Sequence, residues 1–214
     1  MSSRRLRILV VDDHALVRAG IIHLLEDEQD IGYMEECTTG ARALQRVRED
    51  EWDVVTMDIS LAEGDSLDIL KLMKLEKPML PVLIVTMHPE SQYAMRALRR
   101  GACGYLTKDS APDQLIIAIR KVADGGTYLS ASLVWELAGR LQAKPKDTLF
   151  DLLTDREFAV LRSIASGKRL TAIASELHLS AKTVTTYRKR LLDKLGLQSN
   201  AALARFAIEN RLMN

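Results

Sequence analysis

Three carboxylates, a hydroxyl and an ammonium stand at the ends of short apolar runs. Ile8-Leu9-Val10-Val11 ends on Asp12-Asp13, and Val54-Val55-Thr56-Met57 ends on Asp58. Val82-Leu83-Ile84-Val85 ends on Thr86, and Gly104-Tyr105-Leu106-Thr107 ends on Lys108. In an open α/β sheet, buried strands deliver reactive groups at their carboxyl ends, along one edge. Brought together there, Asp12, Asp13 and Asp58 would repel one another, so the site needs a cation. Hard oxygen ligands with room for water suit Mg2+. Asp58 would then be both a metal ligand and a nucleophile toward phosphorus, as carboxylates are in aspartyl-phosphate chemistry. Thr86 and Lys108 are the natural donors to phosphoryl oxygens, where charge-assisted contacts stabilise what transfer creates.

The elements that must position these groups follow from periodicity. Strands are expected at 7–11, 33–37, 54–57, 82–86 and 104–107. Helices are expected at 14–26, 40–49, 66–76, 91–100 and 112–124. Five βα units in sequence predict a doubly wound, parallel five-stranded α/β sheet with helices on both faces. Right-handed crossovers bring every strand's carboxyl end to the same edge. Pro112 suits a first helical turn, and Gly125-Gly126 ends the last helix and the domain, giving a boundary at 1–125. Residues 126–149 read as a linker with a short helix (Leu133, Leu137, Leu141) and a polar break at Lys144 to Asp147.

The last segment, 150–214, changes period and charge. Residues 1–125 hold 16 Lys+Arg against 21 Asp+Glu, a net of −5, whereas 150–214 hold 11 against 6, a net of +5. Opposite charge on two halves predicts two domains, the basic one suited to nucleic acid. Thr154-Asp155-Arg156-Glu157 is a capping box that opens a helix ending near Gly167. A short helix 170–177, a turn at His178-Leu179-Ser180 and a helix over about 181–195 closed by Gly196 follow. With a fourth helix, 201–210, this is a small all-α helix-turn-helix domain. On the third helix Val184, Leu191 and Leu195 should face the core. Thr185, Thr186 and Lys189 lie opposite, Lys189 for guanine and the threonine methyls for thymine in a major groove. Lys182, Thr183, Tyr187, Arg188 and Arg190 flank them and suit phosphate contacts. The fourth helix offers Leu203, Phe206 and Ala207, with Leu212 beyond, either as a dimer contact or as core.

Composition excludes several other classes. The chain is 47% apolar and 28% charged, ordinary for a globular protein. No apolar run approaches the roughly 20 residues that span a bilayer, and the basic N-terminus runs straight into a strand rather than a signal-peptide core. Cys37 and Cys103 fit neither a disulfide framework nor a metal spacing, so the cytoplasm is the default location. His14, His23, His88 and His178 show no ligand spacing.

Asp12-Asp13, Asp58, Thr86 and Lys108, each at a strand end in that order, resemble the receiver domain of two-component response regulators. Leu153 to Glu157, Ile173 to Leu177, Ser180 to Val184 and Lys194-Leu195-Gly196 resemble the LuxR-type helix-turn-helix. The combination is similar to the NarL/FixJ family of bacterial response regulators. That resemblance implies Mg2+ held by Asp13, Asp58 and the Ser60 backbone carbonyl, with Asp12 acting mainly through bound water. It implies a switch in which Thr86 moves toward the phosphoryl group and Tyr105 rotates inward, biasing the surface of the fourth helix, fifth strand and fifth helix. The implied partners are a sensor histidine kinase, double-stranded promoter DNA, RNA polymerase and a second copy of the chain, bound on phosphorylation or on DNA. The chain departs from the family pattern after Asp58, with Ala62 where proline is common and Ser66 where glycine is. Two rivals remain: a phosphotransfer enzyme of haloacid-dehalogenase type, which places its nucleophile on the first strand in Asp-x-Asp, and a constitutive DNA-binding protein whose receiver is only a dimerisation scaffold. The leading expectation is a regulator, not an enzyme.

Overall fold

The computed structural model describes residues 5–61, 66–135, 153–177, 179–210 and 212. The chain divides into two compact units, 1–145 and 146–214.

The first unit alternates β1 (Leu6–Val11), α1 (Ala15–Glu26), β2 (Ile31–Cys37), α2 (Gly40–Glu49), β3 (Val54–Met57), α3 (Ser66–Glu76), β4 (Val82–Thr86), α4 (Glu90–Arg99), β5 (Gly104–Thr107) and α5 (Pro112–Ala123). One five-stranded sheet has the order β2-β1-β3-β4-β5, and every pairing is parallel. Central strands covered on both faces must be apolar throughout. Accordingly Ile8, Leu9, Val10, Val54, Val55, Val82, Leu83 and Ile84 are fully buried. Ile8, Val10, Val54, Leu83 and Val85 pack with Ile21 and Leu25 of α1 and Leu115, Ala118, Ile119 and Val122 of α5. Side-chain alternation along a strand turns Leu9, Val55 and Ile84 to the opposite face.

β2 starts two residues earlier than periodicity suggested. A register irregularity between Leu6 and Arg7 lets Ile31 pair with Leu6. Gly32, which reads as a strand breaker, is needed there because a Cβ would lie 2.5 Å from Arg5 Cβ.

Beyond α5, Tyr128 lies along the outer edge of β5. Its N–H donates to Cys103 C=O at 3.0 Å, and its C=O accepts from Tyr105 N–H at 3.1 Å. Ser130 then caps a helical turn over 131–135, its hydroxyl accepting from Leu133 N–H at 3.2 Å, and it also bonds the Glu90 carboxylate at the start of α4. The rest of the expected linker helix, including Leu137 and Leu141, and the break at Lys144 to Asp147 lie outside the described residues, as does Ala62.

The described residues of the second unit form four helices: α6 (Asp155–Ala165), α7 (Leu170–Glu176), α8 (Ala181–Leu195) and α9 (Asn200–Glu209). Both halves of the Thr154/Glu157 capping box form. Gly196, at φ +65, closes α8 in the left-handed region that favours glycine. Leu161, Ile173, Val184, Leu191, Leu203 and Ala207 are fully buried and Leu212 is buried. On α9 this assigns Leu203 and Ala207 to the core, as it does Leu212 beyond, and leaves Phe206 half-buried. No described helix is long and apolar enough to cross a membrane.

Candidate functional site

Parallel register delivers the strand-end residues to one place. Val11 stands opposite Met57, so Asp12 and Asp58 emerge side by side, and Asp58 N–H donates to Val11 C=O at 2.9 Å. Thr86 stands opposite Thr107, and Lys108 N–H donates to Thr86 C=O at 2.8 Å. Asp12 and Asp58 are each 2% exposed and Thr86 is fully buried.

The Lys108 ammonium bridges the two buried carboxylates, 2.7 Å from Asp12 Oδ2 and 2.6 Å from Asp58 Oδ2. Burial alone would lower its pKa, but the hydrogen bonds to Asp12 and Asp58 outweigh that and raise it. The other oxygens are held by backbone. Asp12 Oδ1 accepts His14 N–H at 2.8 Å, and Asp58 Oδ1 accepts Ser60 N–H at 2.9 Å. Asp13 is half-buried at the mouth, with His14 Nδ1 2.8 Å from its Oδ1. Ligand atoms of Asp12, Asp13, His14 and Asp58 all lie within 4.8 Å of one another.

Three carboxylates cluster here and the Lys108 ammonium bonds two of them, the buried Asp12 and Asp58, so the site holds more carboxylates than that one ammonium can partner. Its oxygens are hard donors, the set that suits Mg2+ rather than a thiophilic ion. The residues fit that cation. His14 is a member that periodicity does not reveal. The only signal for it was adjacency, in Asp12-Asp13-His14.

Thr86 Oγ1 faces the next loop, where His88 N–H approaches it at 3.4 Å. Tyr105 is fully buried, and its hydroxyl donates to His88 C=O at 2.9 Å. It therefore occupies the inward position in this structure. The His88 ring packs on Tyr93 of α4, centroids 4.4 Å apart. One loop thus contacts β4, β5 and α4 together. Ser66 is buried at the start of α3.

On α8, the apolar side is anchored by Val184, Leu191 and Leu195. Lys182, Thr185, Thr186, Lys189 and Arg190 are exposed, and Thr183, Tyr187 and Arg188 are half-buried. Thr185 and Thr186 donate their hydroxyls to Ala181 C=O at 2.9 Å and Lys182 C=O at 3.0 Å. That leaves their methyls and oxygen lone pairs for a partner. Thr183 belongs to the helix cap, its hydroxyl 2.7 Å from Ser180 Oγ. Arg188 is bound to α9, Nε donating to Asn200 Oδ1 at 2.5 Å, and the Arg190 guanidinium lies 6.0 Å from the Tyr187 ring centre.

Comparison with known proteins covers both units. Residues 8–120 match the response regulator receiver domain, and residues 151–207 match the bacterial regulatory proteins of the luxR family. Response regulator UvrY of Escherichia coli K12 is 32% identical over 98% of this chain and 96% of its own. Response regulator GacA of Pseudomonas aeruginosa is 33% identical over 98% of both. Among solved structures, RcsB of Salmonella enterica serovar Typhimurium, bound to a promoter in the presence of the phosphomimetic BeF3-, is 25% identical with a TM-score of 0.59, over 95% of this chain and 98% of that one. With both halves matched in the same order and full-length relatives spanning nearly all of it, the chain belongs to the NarL/FixJ family of two-component response regulators.

Proposed function

We propose that Asp58 accepts a phosphoryl group from a sensor histidine kinase and that this event controls DNA binding by α8. The observation that carries the reading is the Lys108 ammonium held between Asp12 and Asp58 at 2.7 and 2.6 Å, at the edge where all five strands end. An Asp58 oxygen forms the bond to phosphorus as the bond to the donor's histidine nitrogen breaks, the imidazole leaving with the electron pair. Mg2+, when bound, supplies charge neutralisation and a template for the phosphoryl oxygens. Asp13, Asp58 and the Ser60 carbonyl are its proposed protein ligands, with Asp12 acting through water. Lys108 then turns from its carboxylate partners toward the new charge, and Thr86 supplies a hydroxyl. Tyr105 and His88, joined at 2.9 Å, relay the movement of Thr86 to α4 through the His88–Tyr93 contact, a local charge change biasing a two-state surface.

In this reading the receiver is 1–125, the linker 126–149 and the helix-turn-helix 150–214. The protein is a cytoplasmic regulator rather than an enzyme, and its partners are promoter DNA, RNA polymerase and a second copy. RcsB's capture on a promoter with a phosphomimetic supports the pairing of phosphorylation with DNA. The face of α9 at the half-buried Phe206, with Ala202 and the exposed Arg205 on the helix and Leu197 before it, is the proposed dimer contact on DNA.

Intact mass after incubation with acetyl phosphate and Mg2+ tests the acceptor. Wild type is expected to gain one phosphoryl group and Asp58→Asn none. A gain in both proteins would move the acceptor elsewhere, and a gain in neither would favour the scaffold role for the receiver.

On DNA, the exposed Lys189 and Arg190 are expected to differ. Lys189→Ala should lose about 1–3 kcal/mol on the preferred sequence and relax discrimination at one base pair. Arg190→Ala should weaken binding to all sequences alike and lower the salt slope by about 1. Fluorescence anisotropy with matched and scrambled duplexes over a salt series separates the two.

A further inference from the structure

Arg18 lies on α1, away from the strand ends, and the phosphoryl chemistry above makes no use of it. Its guanidinium nevertheless closes onto the acidic edge. Nη1 donates to the backbone carbonyl of Asp12 at 2.8 Å, and Nε donates to the Glu36 carboxylate at 2.7 Å. Only 13% of the Arg18 side chain is exposed, against 49% for Glu36. One rigid fork therefore ties α1 to the ends of both β1 and β2.

The carbonyl matters because of the peptide to which it belongs. The Asp12–Asp13 unit is planar, so fixing its oxygen fixes the plane from which Asp13 departs. Asp12 is anchored independently, through Lys108 and His14 N–H. Asp13, at the mouth, has 21% of its side chain exposed, and His14 makes no side-chain cap for α1. The Asp12 Oδ1 bond to His14 N–H spans this turn on one side, and Arg18, one turn into the helix, holds the Asp12 carbonyl on the other.

We propose that Arg18 is a positioning residue for the divalent cation, holding the Asp12–Asp13 peptide so that Asp13 faces the ion, with Glu36 aligning the guanidinium; the role rests on reading the acidic cluster as a Mg2+ site. Arg18 acts on a cation in two opposing ways. Its charge repels the ion, whereas its hydrogen bond orients a ligand for it. Glu36 neutralises the guanidinium, and solvent beyond it screens what remains, so orientation dominates. Outer partners of metal ligands change affinity by about 10–100-fold. A partner acting through a backbone carbonyl belongs at the lower end, about tenfold.

The test is calorimetric Mg2+ binding to the full-length protein, for wild type, Arg18→Lys, Arg18→Gln and Glu36→Gln, with thermal unfolding of each. Lysine keeps the charge but lacks the planar fork that serves a carbonyl and a carboxylate together. Kd is expected to rise about tenfold in both Arg18 variants and less in Glu36→Gln, with all four proteins folded at the working temperature. An unchanged Kd in Arg18→Lys with tighter binding in Arg18→Gln leaves only the charge effect and overturns the positioning role. Weaker binding that appears only in variants partly unfolded at that temperature overturns it as well. Wild type that binds no Mg2+ overturns the cation site itself, and the role of Arg18 with it.

Discussion

Replacing Lys108 by alanine is expected to destabilise the N-terminal unit by about 3 kcal/mol at neutral pH, the scale for breaking a buried ion pair by removing one partner. The Lys108 side chain is 7% exposed, and the side chains it leaves, Asp12 and Asp58, are 2% and 1% exposed. Neither can be adequately hydrated in place. The pH dependence follows from the raised pKa of Lys108, in which burial is overcome by hydrogen bonds to Asp12 and Asp58. A group raised in the folded state stabilises fully below its unfolded value, about 10.4 for lysine, and loses that contribution as pH rises through the folded value. The gap between wild type and Lys108→Ala should therefore be full at pH 7 and close only in strongly alkaline solution. Mg2+ should narrow it, because a divalent cation restores the missing positive charge. Urea titrations at several pH values, with and without Mg2+, measure all three effects. Equal stability at pH 7 would sink the account of Lys108 as the counter-charge of the site.

The second large effect belongs to the helix-turn-helix unit. Glu157→Ala is expected to destabilise it by about 2 kcal/mol. Glu157 is 1% exposed, and its Oε2 accepts both Thr154 N–H at 2.9 Å and the Lys194 ammonium at 2.6 Å. Alanine strands the partly buried Thr154 N–H at the start of α6. Lys194 is 37% exposed, so water replaces much of what it loses and the ion pair contributes less than about 1 kcal/mol. Glu157→Gln keeps the acceptor for Thr154 and gives up only the charge. It should lose about 1 kcal/mol or less. Helical signal followed in guanidinium distinguishes the two, and equal losses would assign the effect to Lys194 instead.

The four strand-end positions were legible in the sequence for a physical reason. A parallel strand covered on both faces must be apolar along its length, so a polar or charged residue that ends such a run marks the strand's exit from the core. Asp58, Asp12, Thr86 and Lys108 all stand at such exits. What periodicity could not give was lateral reach. Arg18 and His14 fall on a helix and its approach with no distinctive spacing, yet both touch the Asp12-Asp13 pair. The same holds on α8. Helical phase separated Val184 and Leu191 from the polar side, but could not tell that Thr183 is spent on the cap and Arg188 on Asn200. Those two are engaged inside the domain, which leaves Lys182, Thr185, Thr186, Lys189 and Arg190 as the exposed part of the expected DNA surface.

Tyr128 has a consequence for how this sheet meets other sheets. β2 and β5 are its outer strands, and an unpaired strand border is a template for another chain. At β5 the Tyr105 N–H and Cys103 C=O are both taken by Tyr128. The border at β2 is guarded by charge instead, through Glu35 paired with Arg46 and Glu36 paired with Arg18. A receiver fragment cut directly after Gly125 would keep the second guard and lose the first. Such a fragment should therefore associate through β5 in a concentration-dependent way, whereas one extended through Leu133 should stay dispersed.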